Sequence, residues 1–171
     1  MCKHNIIKIE PVLLNDSLEK PFYFSQFEYK KREICIVKIT TGSGYVGWGE
    51  GYGPGALVKA GIEYLSPFII GDDVLWQERI WNKLYRRVYD YSRKGIFLSA
   101  ISAIDIALWD LKGKILNQPI SSLLGGRLRD SVQVYATGLY FSNENNMKEL
   151  LVEEALFYKN SGFEAIKMKV G

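Results

Sequence analysis

Hydrophobic and polar positions change their spacing twice along the chain, and each change marks a different kind of structure. Residues 6–14 are mostly β-branched and aliphatic, interrupted by Pro11, and predict an edge-type strand. Asn15-Asp16-Ser17 predicts a turn. Residues 18–27, with Phe22, Tyr23, Phe24 and Phe27 around Pro21 and no clear period, predict an aromatic-rich loop. Residues 28–41 alternate, with Ile34, Ile36 and Ile39 set among Arg32 and Lys38. Thr41-Gly42-Ser43-Gly44 then turns the chain back into residues 45–50. A three-stranded antiparallel sheet follows from this pattern.

After Gly55 the spacing lengthens to the helical period. Residues 56–70 predict a helix broken at Pro67. Asp72-Asp73 gives an N-cap signal for a second helix over 74–89, with Leu75, Ile80, Leu84 and Val88 near one face and Arg79, Lys83 and Arg87 elsewhere. A third helix begins after Gly95 and runs to Leu116, apolar on most of its circumference and therefore buried on several sides. Pro119 opens a short helical turn that Gly125-Gly126 ends.

Beyond that point the pattern becomes strand (132–138), helix (147–160) and strand (163–170), a βαβ unit with a parallel pair. The expected fold is α+β, with an α+β domain over 1–125 and the βαβ start of an α/β domain over 126–171.

Composition narrows the chemistry. The 171 residues are 47% hydrophobic and 24% charged, the makeup of a globular protein, and 22 basic against 19 acidic side chains leave only +3. No basic stripe demands a nucleic acid or a membrane surface as partner. Two distant cysteines and no signal pattern fit reduced thiols in a cytoplasmic protein. The one histidine, His4, stands near the N-terminus, where a packing role is the ordinary one. Acid-base work therefore falls to Lys, Tyr, Asp or Glu.

The lysine-bearing strand carries the sharpest candidate. Alternation in Glu164-Ala165-Ile166-Lys167-Met168-Lys169-Val170-Gly171 puts Lys167 and Lys169 on one face and Ile166, Met168 and Val170 on the other. A solvated lysine face is one reading. The other is catalytic: parallel strands are covered on both faces, and residues at their carboxyl ends line the mouth of such folds. A lysine beside another cation has its neutral, basic form favoured.

Residues 99–114, Ser-Ala-Ile-Ser-Ala-Ile-Asp-Ile-Ala-Leu-Trp-Asp-Leu-Lys-Gly-Lys, with Pro119-Ile120 and Leu123-Leu124-Gly125-Gly126 after them, closely resemble the mandelate racemase and muconate lactonizing branch of the enolase superfamily. Gly47-Trp48-Gly49-Glu50 and Lys167-Met168-Lys169-Val170-Gly171 fit the same branch in order and spacing. The resemblance implies a capping domain closing over a modified TIM barrel, of which this chain holds the cap and the first two strands. It implies that Lys169 is the general base or acid at the carbon alpha to a substrate carboxylate, and that Lys167 stabilises the enolate. The loop at 18–27 and the segment 50–54 match the family's substrate-facing cap loops. Phe22, Tyr23, Phe24 and Tyr52 are thus candidates for shaping the pocket, set against the alternative that they fill an interface. Asp105, Trp109 and Asp110 read as packing and ion-pair residues.

The same resemblance implies Mg²⁺ in the complete enzyme, held by ligands on later strands, a small carboxylate such as a sugar acid as substrate, and a homo-oligomer. A barrel needs eight strands and about 250 residues. The chain is therefore expected to be an N-terminal portion, inactive alone, of an acid-sugar dehydratase or racemase. Two alternatives stay open. One is a cycloisomerase or dipeptide epimerase of the same superfamily. The other is a non-catalytic binding or oligomerisation module using Lys30-Lys31-Arg32 and Arg86-Arg87.

Overall fold

The structure, a computed structural model, describes residues 4–24 and 26–170, with the side chain of Phe24 left aside. Its elements in chain order are strands β1 (Ile6–Phe24), β2 (Phe27–Thr41) and β3 (Val46–Gly51), then helices α1 (Gly55–Leu65), α2 (Gln77–Val88), α3 (Ile96–Leu116) and α4 (Ile120–Leu123). Strand β4 (Ala136–Thr137), helix α5 (Met147–Asn160) and strand β5 (Ile166–Lys167) complete the order. Two compact units emerge. One joins the residues up to Asn15 with Glu33–Arg127; the other joins Asp16–Arg32 with the residues from Leu128 onward.

In the first unit the sheet has the order β1-β2-β3, and β2 pairs antiparallel with β3 from Cys35 opposite Gly51 to Thr40 opposite Val46. The connecting turn is closed by Thr41, whose amide bonds the carbonyl of Tyr45 (2.9 Å) and whose hydroxyl accepts the Tyr45 amide (3.0 Å). His4 packs beside it, with Nδ1 2.8 Å from Ser43 Oγ.

Alternation in β3 places Gly47, Gly49 and Gly51 inward and Trp48 and Glu50 outward. With no side chain on the inner face, α3 lies directly against the strand. A Cβ on Gly49 would overlap the carbonyl oxygen of Ala103, and one on Gly47 that of Ala107. The helix answers with small residues of its own, Ala100, Ala103 and Ala107, all fully buried. Its larger side chains Ile101, Ile104, Leu108 and Leu111 fill the core with Val37, Ile39, Ile62 and Leu84. That is why a helix apolar around most of its circumference is stable in water: sheet, α1 and α2 cover it.

Several local expectations change. Residues 15–17 are not a turn, nor 18–24 a loop; β1 runs through them to Phe24. As an edge strand it tolerates Pro11 and polar residues without losing ladder bonds. Helix α2 starts at Gln77 rather than at residue 74, because Asp73 builds a turn ahead of it. Its Oδ1 accepts the Leu75 amide (2.9 Å) and its carbonyl the Trp76 amide (3.0 Å). Asp72 instead pairs with Lys83 at 2.8 Å. Cys35 is a buried free thiol whose pKa burial pushes up; Cys2 lies outside the described residues.

Candidate active site

The second unit contains the parallel pair that the strand-helix-strand pattern predicts, in shorter form. Ala136 stands opposite Ile166 and Thr137 opposite Lys167. The ladder is closed by the Ala136 amide to the Ala165 carbonyl (3.0 Å) and the Gly138 amide to the Lys167 carbonyl (3.2 Å). Residues 132–135 and 168–170 continue the chain without a ladder partner among the described strands, so the strands are two residues long rather than seven or eight. Helix α5 makes the connection. It ends in a glycine stop: Gly162, at φ +89°, sends its amide to the Lys159 carbonyl (3.1 Å), and Phe163 sends its own to that of Tyr158 (3.2 Å).

Lys167 sits on β5 and is exposed, with its ammonium 5.3 Å from the centre of the Tyr135 ring. Lys169, two residues past it, is half-buried, whereas the intervening Met168 is 48% exposed and Val170 77% exposed. Lys169 is thus the less exposed of the two lysines. Both lie at or beyond the carboxyl end of β5, the end at which parallel barrels carry their chemistry. An open depression of about 510 Å³, lined by Ser131, Val132, Gln133 and Val134 with Gly162, Phe163 and Glu164, precedes the two strands and so belongs to their other end.

The aromatic residues of β1 join the same unit as the lysines. Phe22 stacks on Tyr29 (5.3 Å between ring centres), meets Tyr140 at 4.4 Å and carries the Arg32 guanidinium 4.4 Å above it. Tyr23 exchanges two backbone hydrogen bonds with Phe141, at 2.8 and 3.1 Å. Its hydroxyl donates to Glu28 (2.7 Å) and accepts from Asn143 Nδ2 (2.9 Å). The Glu28 carboxylate holds that phenol's pKa above its ordinary value, and the Tyr23 and Lys30 hydrogen bonds hold Glu28 below its own. Lys20 closes the set with an ion pair to Glu144 at 3.2 Å.

Of the remaining candidates, Tyr52 belongs to the first unit and is 90% exposed, and the side chain of Phe24 lies outside the described residues. Asp105, Trp109 and Asp110 have structural partners. Asp105 accepts from Gln77 Nε2 (2.9 Å), and Asp110 accepts the Trp48 amide (2.9 Å) and the Lys114 ammonium (2.6 Å). Lys112 stands 4.8 Å over Trp109. Sequence reading did not find Tyr140, Phe141, Asn143 and Glu144. The available signal was an aromatic pair and a polar run directly after a strand ending in glycine.

Among the described residues no three His, Cys, Asp or Glu side chains gather into a set able to hold a metal ion. The residues present therefore do not fit a magnesium site. Nor, among them, is any helix long and apolar enough to cross a membrane.

Comparison with known proteins agrees with the fold. A model of the family described as mandelate racemase / muconate lactonizing enzyme, N-terminal domain, matches residues 8–125. D-galactarolactone cycloisomerase of Agrobacterium fabrum is 38% identical over 166 residues, 97% of this chain and 44% of its own length. The crystal structure of the 3,6-anhydro-D-galactonate cycloisomerase from Zobellia galactanivorans is 50% identical, with a TM-score of 0.86, over 97% of this chain and 43% of that one. That of L-talarate/galactarate dehydratase from Salmonella typhimurium LT2, liganded with Mg and L-lyxarohydroxamate, is 29% identical with a TM-score of 0.86, over 98% and 44%. The chain spans less than half the length of each of these three.

Proposed function

Because the chain belongs to the mandelate racemase / muconate lactonizing enzyme N-terminal domain family, we propose that the whole protein acts on a sugar acid, removing the proton next to the carboxylate. The oxygen on the following carbon is then expelled. The observation that carries this reading is the placement of Lys169, half-buried just past the carboxyl end of β5, two residues from a second cation.

The chemistry follows from these two groups. A neutral Lys169 amine takes the α proton and becomes an ammonium; the electron pair moves into the carboxylate to give an enediolate. The Lys167 ammonium favours this dianion more than the ground-state carboxylate, so it lowers the barrier rather than merely tightening binding. Collapse of the enediolate breaks the β carbon–oxygen bond, and the leaving oxygen takes the electron pair and a proton. The resulting enol tautomerises to a ketone.

In a 3,6-anhydro sugar acid that β oxygen belongs to the ring, so its departure opens the ring and leaves the mass unchanged. In an open-chain sugar acid the same step expels water. One lysine pair thus serves both a cycloisomerase and a dehydratase. The 50% identity to a 3,6-anhydro-D-galactonate cycloisomerase favours ring opening. The dehydratase form stands second, favoured by the likeness to L-talarate/galactarate dehydratase.

The test uses the complete enzyme. Incubated in deuterium oxide, it should place deuterium at the α carbon of its substrate, and Lys169→Ala should abolish that exchange. Exchange retained in the variant sinks Lys169 as the base. A ring-opened product of unchanged mass from an anhydro sugar acid distinguishes the cycloisomerase from the dehydratase.

A further inference from the structure

In the β4–β5 pair Thr137 stands opposite Lys167, so these two share one face of the ladder, while buried Ala136 and its partner Ile166 share the other. Tyr135, the residue before β4, delivers its ring to the lysine face: the ring centre is 5.3 Å from the Lys167 ammonium. The Ala136 amide bonds the Ala165 carbonyl at 3.0 Å, which ties the backbone next to Tyr135 to that of Ala165. Ala165 carries only a methyl group and leaves the ring room.

An ammonium that must face a developing enediolate needs a neighbour that restrains its flexible four-carbon stem and leaves its charge intact. A carboxylate would restrain the stem but cancel the charge. An aromatic face attracts the cation through its quadrupole and bears no net charge of its own. The N–H donors of the ammonium then remain for a substrate oxygen. Tyr135 meets these requirements, because the ladder holds its backbone while its ring supplies the attraction.

We infer that Tyr135 is a positioning residue, whose ring holds the Lys167 ammonium on the face of β5 where charge develops. It acts through Lys167 and touches no reacting atom. Its relevance to turnover rests on the part assigned above to Lys167; the ring contact itself does not.

A double-mutant cycle on the complete enzyme tests it, with deuterium exchange at the α carbon of the substrate as the rate measured. Tyr135→Leu should slow exchange by about two- to fivefold, the equivalent of one exposed cation–π contact. Tyr135→Phe, which keeps the ring and drops the hydroxyl, should restore most of the rate. In the Lys167→Met background Tyr135→Leu should slow exchange no further. Equal slowing in both backgrounds, or a phenylalanine variant as slow as the leucine one, would overturn the positioning role. NMR of the enzyme carrying isotope-labelled lysine gives a readout that does not depend on catalysis. The ε-methylene signal missing from the Lys167→Met spectrum should lie upfield through the ring current of Tyr135. It should move back in Tyr135→Leu and stay upfield in Tyr135→Phe. An unshifted Lys167 signal overturns the contact. A ring shift together with unslowed exchange in Lys167→Met upholds the contact and overturns the part assigned to Lys167, so the two failures are told apart.

Discussion

Gly49 lies so close to Ala103 that the strand's α carbon and the helix's carbonyl leave no volume between them for a methyl group. The obstacle is backbone, which cannot rotate away. Gly49→Ala should therefore destabilise the first unit by about 1–3 kcal/mol, the usual cost of overpacking. Gly51→Ala, whose new methyl would meet the side chain of Val58, should cost less. Urea denaturation of both variants makes the comparison.

Asp105 predicts a pH dependence. Burial raises its pKa, with the Gln77 hydrogen bond opposing and Glu78 adding to the rise. The folded chain then holds that proton more tightly than the unfolded chain. Its favourable contribution is complete below the ordinary aspartate value, about 4, and is lost as pH rises from there through the raised folded value. Asp105→Asn keeps an oxygen for Gln77 and removes the charge. Urea midpoints measured across pH should fall less steeply for the variant over that window, leaving it the more stable protein at neutral pH.

Asp110 and Lys114 tie α3 to the outer edge of the sheet, through the Trp48 amide and the Val46 carbonyl (2.9 Å each). Asp110→Ala strands a backbone amide on the free edge of β3. The expected loss is about 1–2 kcal/mol, read from the denaturation midpoint. Asp110→Asn, which retains an acceptor, should recover part of it.

Lys167→Met in the complete enzyme tests the division of labour between the lysines. Deuterium exchange at the α carbon should persist but slow by about 10²-fold, as when one donor to a developing oxyanion is removed. Loss as complete as in Lys169→Ala would mean that the two roles are not separable.

How legible all this was in sequence depended on how local each cause is. Helix α3 could be read to its ends because a long, mostly apolar run follows Gly95 up to Leu116; in the structure Asn117, at φ +51°, is what stops it. Residues 45–50 were legible as the returning strand of the hairpin, whereas the burial of Gly47, Gly49 and Gly51 under the helix was not, because it depends on how closely α3 approaches. The outer half of β1 was not legible. Phe22 and Tyr23 are strand because Tyr29, Tyr140 and Phe141 hold them, and nothing in residues 18–27 specifies partners so distant. Strand alternation put Lys167 and Lys169 forward as a pair, although the strand itself ends at Lys167. Asn143 was not legible, since an asparagine in a polar run looks like any turn residue until its partner is known.

The link between Tyr23 and Asn143 also has a cost in time. Separated by 120 positions, they emerge from a ribosome on the order of ten seconds apart at ordinary synthesis rates. Through that interval the aromatic end of the hairpin exists without its partner, while the sheet stem can already pair. The second unit is thus a late-closing, long-range assembly, in which the entropy of closing the loop is spent before the contacts of Phe22 and Tyr23 are gained.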